Sequence, residues 1–281
     1  MSHAEVNSSD RVGALYDQMA GFESDNFTGD HNLHFGYWDS PADAWSLERA
    51  EERFTELMIE KLGAGRGERV LDVGCGMGTP AMRLARATGS EVLGVTVSHE
   101  QVKRATARAS AAGLADRVSF RYADAAALPF EDASFDAVWM LESIIHMPDR
   151  LQALGEAARV LRPGGRLVLT DFFERAPIPE RKRPAVEKFY ENWVMGPMVT
   201  IDDYPALVRA AGLRLVEACD ISEQVMKRTL EGIARRIAHD RRHIDDTLGA
   251  DLADDLDLSA LIEVWELGYL LVVAELPRAD G

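Results

Sequence analysis

Apolar runs alternate with helix-forming segments through the middle of the chain. The runs that predict strands are 68–76, 91–97, 118–122, 135–141 and 166–172. The segments between them that predict helices are 80–87, 101–112 and 151–161. Strands that alternate with helices in this way favour a parallel, doubly wound α/β sheet, whose ligands bind at the carboxyl ends of the strands.

The regular alternation of predicted strands and helices ends after residue 173. The segment 176–200 carries four prolines together with aromatic residues and methionines, and we expect it to form a lid or wall rather than another βα unit. Beyond it the pattern predicts a helix over 204–211, a sixth strand over 213–222, a long charged helical excursion over 223–264 and a last strand over 268–276. The sheet should therefore have seven strands, most of them parallel.

Charge and composition exclude several classes of protein. The chain has 281 residues and a formal charge of −16, which repels polyanions and makes nucleic acid an unsuitable partner. No run of about 18 apolar residues is present, so we expect no membrane span. The first residues lack a basic start followed by an apolar core, and Cys75 and Cys219 are far apart, so we expect a reduced, cytoplasmic location.

A glycine-rich loop follows the first strand, in residues 70–80 with the sequence VLDVGCGMGTP. A strand, a glycine turn and a helix start place backbone N–H groups around a polar or anionic ligand. A phosphate-binding P-loop needs a Gly-Lys-Ser/Thr ending, which is absent here. A dinucleotide site needs a glycine where Thr79 stands and an acid where Thr96 stands, so a nicotinamide oxidoreductase is disfavoured.

Four motifs occur in order over residues 65–175. They are Asp72 to Gly78, Asp124 after the third strand, LPFEDASFD over 128–136 and LRPGG over 161–165. Their order and spacing resemble the class I S-adenosylmethionine (SAM)-dependent methyltransferases. More narrowly, residues 32–38, 141–143, 146–150 and 170–172 resemble small-molecule O-methyltransferases of bacterial natural-product biosynthesis, including the rebeccamycin sugar 4′-O-methyltransferase.

The resemblance implies a Rossmann-like fold with an N-terminal helical lid and helical insertions near the C-terminus. Residues 1–60 would form the helical arm and lid, and residues 61–175 would form the SAM-binding core. Residues 176–281 would supply the wall on the acceptor side and the helical insertion, with their two strands completing the core sheet. The product of the cofactor would be S-adenosylhomocysteine.

The resemblance also implies which residues hold SAM. Asp72 would orient the glycine loop or meet the ammonium group, while Gly74, Gly76 and Gly78 would let the backbone approach the ligand. Thr96 and Gln101 would reach the ribose, Asp124 would accept from the adenine amine with the Ala125 N–H beside it, and Leu141 would lie beside the methionyl group. The lid would present Tyr16, Tyr37 and Trp38. The N-terminal segment could equally pack as an arm on the sheet edge or on a neighbouring subunit.

His146 and Asp171 are the candidate catalytic residues. Methyl transfer from a sulfonium is an in-line displacement, and a hydroxyl acceptor must also lose its proton, which suits a histidine base. Related sugar methyltransferases have a His-His pair where this chain has Ile145 and His146, and Asp171 matches the acid that accompanies the pair. The expected reaction is transfer of a methyl group to a hydroxyl of a small natural-product metabolite.

Other acceptors and roles stay open at this point. A carbon or nitrogen acceptor, aromatic or terpenoid, would rely on residues that could line its pocket: Glu142, Tyr190, Trp193 and Met195. The same aromatic residues could instead be ordinary core. A non-catalytic protein that binds SAM or S-adenosylhomocysteine is a third hypothesis, and a homodimer or higher homo-oligomer is compatible with the chain. We expect no metal, because arginines separate His239 from His243 and no third ligand matches them.

Overall fold

The computed structural model describes residues 8–20, 34–248, 254 and 256–278. Within these residues one seven-stranded sheet has the order β3-β2-β1-β4-β5-β7-β6. Its strands are β1 (Arg69–Val73), β2 (Glu91–Thr96), β3 (Val118–Tyr122), β4 (Phe135–Met140), β5 (Leu161–Glu174), β6 (Arg214–Asp220) and β7 (Leu267–Glu275). All pairings are parallel except those of β7, which runs antiparallel to β5 and to β6. The predicted Rossmann-like α/β sheet is confirmed.

Helices cover both faces of this sheet. They are α1 (Ser8–Ala20), α2 (Leu47–Leu62), α3 (Thr79–Thr88), α4 (His99–Ala111), α5 (Arg150–Val160), α6 (Arg183–Asn192), α7 (Tyr204–Ala210) and α8 (Ser222–Leu248). Short 3-10 turns occur at Ile144–His146, Ile201–Asp203 and Ser259–Leu261. Among the described helices, none combines the length and the apolar character that crossing a bilayer requires.

Alternation along the strands divides the core into two layers. Val70, Trp139 and Val168 face the layer that α2, α3, α4 and α8 cover. Their neighbours in sequence, such as Leu71 and Leu169, face the layer that α5 and α7 cover. Because side chains alternate between the faces of a strand, the position of a residue in its strand decides which layer it enters.

Local sequence signals explain where several helices begin and end. Ser46 caps α2 by accepting a hydrogen bond from the Arg49 N–H, and Gly63 ends the helix in a left-handed conformation. Ser98 caps α4 through the Gln101 N–H, so α4 begins two residues before the predicted boundary. Pro80 stands in the first turn of α3, where its missing N–H costs least.

Two predicted segments differ from the structure in detail. The fifth strand was expected over 166–172, after a helix over 151–161, but β5 already begins at Leu161 and includes the LRPGG sequence. The Gly164 N–H donates to the Leu276 carbonyl, and the Leu276 N–H donates to Gly165, so the chain after β7 extends the pairing. The predicted wall over 176–200 contains α6, and the excursion over 223–264 contains α8, although 249–253 and 255 lie outside the described residues.

Candidate active site

A cavity opens at the carboxyl ends of β1, β2 and β4, and α1 lies across it. Most of the predicted site residues line this cavity: Tyr16, Asp72, Gly74, Gly76, Thr96, Gln101, Ala125, Leu141, Glu142, His146, Trp193 and Met195. Parallel strands of a doubly wound sheet bring their carboxyl ends to one edge, which is why residues from distant parts of the sequence meet here.

The three glycines of the loop after β1 serve different purposes. All have positive φ angles, which glycine adopts most readily. A Cβ on Gly74 would lie 2.2 Å from Cβ of Ser143, and one on Gly78 would lie 2.4 Å from the Phe120 ring, so both are required by packing. A Cβ on Gly76 would meet no described atom closer than Nε2 of Gln101, at 4.0 Å. Gly76 therefore leaves space open in the cavity, whereas Gly78 lies outside its lining.

Two buried polar atoms beside this loop suit the methionyl end of SAM. Within the described residues, Oδ2 of Asp72 and Oγ1 of Thr79 are buried without a hydrogen-bond partner, and both residues line the cavity. Burial raises the pKa of Asp72 to about 7, an effect that the Trp139 indole N–H partly offsets. An ammonium group would supply the missing partner of Asp72. The start of α3, which has no side-chain cap in the described structure, suits a carboxylate.

The end of β2 is arranged for a polar ligand. The Thr96 hydroxyl donates to Oε1 of Gln101 at 2.7 Å and accepts from the Ser98 N–H at 3.2 Å. Both Thr96 and Gln101 are buried, which leaves the amide group of Gln101 fixed at the cavity wall. The two residues expected at the ribose thus lie together, and both line the same cavity as Gly76.

Asp124 contacts the lid helix directly. The Ser9 hydroxyl on α1 donates to Oδ2 of Asp124 at 2.6 Å, and the Ala126 N–H donates to Oδ1 at 2.8 Å. The carboxylate itself lies just outside the cavity lining, while Ala123 and Ala125 belong to it. A second contact fixes α1 at the start of α4, because Asp17 accepts hydrogen bonds from the Ser98 hydroxyl and the Glu100 N–H.

His146 lies in the 3-10 turn after β4 and is held from both sides. Its Nδ1 lies 3.3 Å from the carbonyl oxygen of Val194, and its Nε2 lies 2.9 Å from the hydroxyl of Tyr16 on α1. Because a carbonyl can only accept, Nδ1 carries the hydrogen and Nε2 accepts from Tyr16. Burial lowers the pKa of His146 to about 4, so the imidazole is neutral near pH 7.

Glu142 is a second titratable residue, besides His146, in this part of the cavity lining. Its Oε1 accepts hydrogen bonds from the Phe35 N–H at 2.7 Å and from the Tyr269 hydroxyl at 2.6 Å. Burial raises the pKa of Glu142 to about 7. The residue has a φ of 51°, which is unusual for a side chain other than glycine and costs backbone energy that the surrounding contacts must offset.

The structure does not bring Asp171 into contact with His146, as was expected for its catalytic role. Asp171 is fully buried, and its oxygens bind Arg150 and Tyr204 rather than His146. Alternation along β5 explains the error. Thr170 and Phe172 point to the face that carries the cavity, so Asp171 points to the opposite face, where α5 and α7 pack.

Three other expected residues also lie away from the cavity lining. Trp38 packs against Arg228, whose guanidinium lies 4.4 Å from the ring centroid, and Tyr37 stacks on Phe54. They therefore join the N-terminal segment to α2 and α8 instead of covering the ligand. Tyr190 lines a separate small cavity behind α6 together with Ile178 and Met198. Residues 31–33 of the predicted lid lie outside the described residues.

The acceptor side of the cavity is mostly apolar, and the sequence did not single out most of its residues. They are Met19, Phe35, Ile145, Phe172, Phe189, Ile233, Leu256 and Leu258. A buried ion pair between Glu51 and Arg236, with Nη1 and Oε1 2.7 Å apart, also reaches the cavity. Most of these residues come from α1, α2, α6, α8 and β5, and the others come from the segment before α2, the turn after β4 and the segment after α8. An isolated apolar residue in such a place carries no signal that separates a cavity wall from ordinary core.

Comparison with known proteins supports this interpretation of the site. A methyltransferase domain family matches residues 71–169. Methyltransferase GfsG of Streptomyces halstedii is 48% identical over 213 residues, which are 76% of this chain and 76% of that protein. The 27-O-demethylrifamycin SV methyltransferase of Amycolatopsis mediterranei is 40% identical over 95% of this chain and 97% of its own. The crystal structure of the [4+2]-cyclase SpnF, 30% identical, covers 99% of this chain and 100% of its own with a TM-score of 0.85.

Proposed function

Since the chain belongs to the class I SAM-dependent methyltransferases and uses SAM as its cofactor, we propose that it methylates a hydroxyl group of a largely apolar natural product. The family and the cofactor are those that the glycine loop and its companion motifs predicted. The narrower resemblance to the rebeccamycin enzyme stays a prediction.

The observation that carries the proposal is the hydrogen bond between Tyr16 and His146 in the cavity that contains the glycine loop. An unprotonated Nε2, 2.9 Å from the phenol of the lid helix, faces the space where an acceptor can enter. A non-catalytic binding protein has no need of such an arrangement. Closure of α1 over the cavity also excludes water, which protects a sulfonium from side reactions.

His146 would take the proton of the acceptor through Tyr16, whose hydroxyl would pass its own proton to Nε2 while it receives that of the acceptor. SAM supplies an electrophilic methyl group on its sulfonium. The acceptor oxygen must be held in line with the bond between this methyl carbon and the sulfur. As the new C–O bond forms, the hydroxyl becomes strongly acidic. An imidazole whose pKa is about 4 is then basic enough to remove the proton, and it is already neutral over the whole physiological range.

The lining on the acceptor side supports an apolar substrate. Met19, Phe189, Ile233 and Leu258 offer hydrocarbon and aromatic surface, and burying such surface contributes about 25 cal/mol per Å² to binding. A sugar or an amino acid would leave many of its polar groups without partners against these side chains. The name of the rifamycin relative describes a methyltransferase for a substrate that lacks a methyl group on an oxygen, in agreement with this proposal.

Methylation at carbon is a second candidate, which Glu142 favours. Its carboxyl group lies in the same cavity with a pKa raised to about 7, and such a group can remove a proton from a carbon acid or stabilise a positive charge. The two candidates differ in the residue on which turnover depends: His146 for a hydroxyl, Glu142 for a carbon.

An acceptor screen tests the proposal. Formation of S-adenosylhomocysteine would be measured with apolar hydroxylated macrolides and terpenoid alcohols, with glycosides and with amino acids. We expect turnover with members of the first group. Turnover confined to glycosides or amino acids would contradict the proposed acceptor class, and product formation with none of the groups would favour a role other than methyl transfer.

A further inference from the structure

Arg150, four residues after His146 in the sequence, forms a buried ion pair with Asp171. Nε of Arg150 lies 2.6 Å from Oδ2 of Asp171, and Nη2 lies 3.2 Å from Oδ1, while the side chains are 5% and 0% exposed. The Tyr204 hydroxyl also donates to Oδ2. A buried charge pair is retained at a cost in desolvation, so its strict hydrogen-bonding geometry calls for a role beyond stability.

The remaining guanidinium nitrogen of Arg150 binds the backbone of the segment that follows α6. Nη1 donates to the carbonyl of Pro197 at 2.6 Å. The adjacent Gly196 N–H donates to the carbonyl of Ile145 at 2.7 Å, and a Cβ on Gly196 would lie 2.1 Å from the carbonyl oxygen of Met147. Residues 194–197, called here the wall loop, are therefore held close against the turn that carries His146.

The first residue of the wall loop has a strained backbone. Val194 has a φ of 51°, a conformation that a β-branched side chain strongly disfavours. In this conformation its carbonyl accepts from Nδ1 of His146. The neighbouring contacts of Gly196 and Pro197 must offset the strain, because an isolated loop would relax to a negative φ and turn the carbonyl away.

We propose that Arg150 and Asp171 are positioning residues for His146: through the wall loop they aim the Val194 carbonyl at Nδ1, which keeps Nε2 unprotonated and able to accept a proton. Asp171 therefore acts at a distance, on the opposite face of β5, and never contacts the imidazole. The importance of this role for turnover rests on the proposed function, but the tautomer of His146 does not.

The experiment measures the His146 tautomer by ¹⁵N-detected imidazole NMR of the whole protein near pH 7, with the signal assigned by its loss in His146→Gln. The variants are Asp171→Asn and Arg150→Lys, which weaken the link to the wall loop in different ways, so one serves if the other does not fold. The matched control is Glu266→Gln, which removes a charge from another buried ion pair, that with Lys182, away from the cavity lining.

We expect a single Nδ1–H tautomer in the unaltered protein and in Glu266→Gln. Asp171→Asn and Arg150→Lys should show a mixture of tautomers, with kcat lowered about tenfold or more and S-adenosylhomocysteine affinity within about twofold. An unchanged tautomer in both variants, or the same mixture in Glu266→Gln, would overturn the proposal. If the two variants show a mixture of His146 tautomers but the protein methylates no hydroxyl, the positioning role is upheld and the proposed function is contradicted.

Discussion

The hydroxyl of Tyr16 lies 2.9 Å from Nε2 of His146, although 130 positions separate the two residues in the sequence. Tyr16 belongs to the lid helix α1, whereas His146 belongs to the turn after β4. This contact closes the cavity at the point where an acceptor hydroxyl would meet the proposed base. It makes His146 and α1 parts of the same hydrogen-bonding arrangement.

Removing the Tyr16 hydroxyl should therefore slow turnover. In Tyr16→Phe the ring still covers the cavity, but Nε2 of His146 loses its only described hydrogen-bond partner while Val194 still holds Nδ1, and we expect kcat to fall roughly ten- to hundredfold. Tyr37→Phe is the matched control, because Tyr37 also lies in the N-terminal region but outside the cavity lining. Steady-state kinetics with saturating SAM measure the effect, and equal losses in the two variants would argue against a specific role.

Gly76 should be required for the cofactor but not for the fold. Gly76→Ala and Gly67→Ala both place a side chain at a positive φ with open space around it, and each should lower the free energy of unfolding by about 1–2 kcal/mol. Because Gly76 alone of the pair lines the cavity, only Gly76→Ala should lose SAM affinity. Thermal denaturation and calorimetric titration check the two effects. SAM binding that survives in Gly76→Ala would place the cofactor elsewhere.

SAM affinity should depend on pH through Asp72. Its pKa is raised to about 7, so the carboxyl becomes protonated as the pH falls below 7 and loses its attraction for an ammonium group. The dissociation constant should therefore rise by up to about tenfold per pH unit below pH 7. Asp72→Asn should bind SAM weakly with little dependence on pH. A flat profile in the unaltered protein would restrict Asp72 to holding the loop.

Asp124 serves the lid, the adenine or both, and two variants separate these roles. Ser9→Ala removes only the lid contact, while Asp124→Ala removes the carboxylate that the adenine amine was expected to meet. If Asp124 binds the adenine, Asp124→Ala should weaken S-adenosylhomocysteine binding clearly more than Ser9→Ala does. Equal losses in calorimetric titrations would assign Asp124 to the lid alone.

The sequence predicted most of the cavity wall beside the glycine loop because its residues follow directly from a strand, a turn and a helix start. This local order places Asp72, Gly76 and Thr96 at one edge of the sheet, while their roles toward SAM come from the family resemblance and stay predictions. The end of β5 was harder, because Asp171 stands at the expected strand end yet on the wrong face. Counting by twos from Val168 and Phe172, which face the cavity layer, would have assigned Asp171 to the other side.

The acceptor side could not be predicted from local order. Met19, Ile233 and Arg236 reach the cavity only because α1 and α8 cross the edge of the sheet. Packing between helices that are far apart in sequence decides such contacts, and no spacing along the chain records them. For the same reason the early start of β5 was missed, since Leu161 pairs with Phe135 of β4, and Gly164 and Gly165 pair with Leu276 beyond β7.

The position of the transferred methyl group tests the central claim most directly. The protein would be incubated with SAM carrying a ¹³C-labelled methyl group and with an accepted apolar alcohol, and the product would be analysed by ¹³C NMR. The account predicts a methyl ether, formed roughly a hundredfold or more slowly by His146→Ala although that variant binds SAM normally. A methyl group on carbon or nitrogen, or undiminished ether formation by His146→Ala, would contradict it.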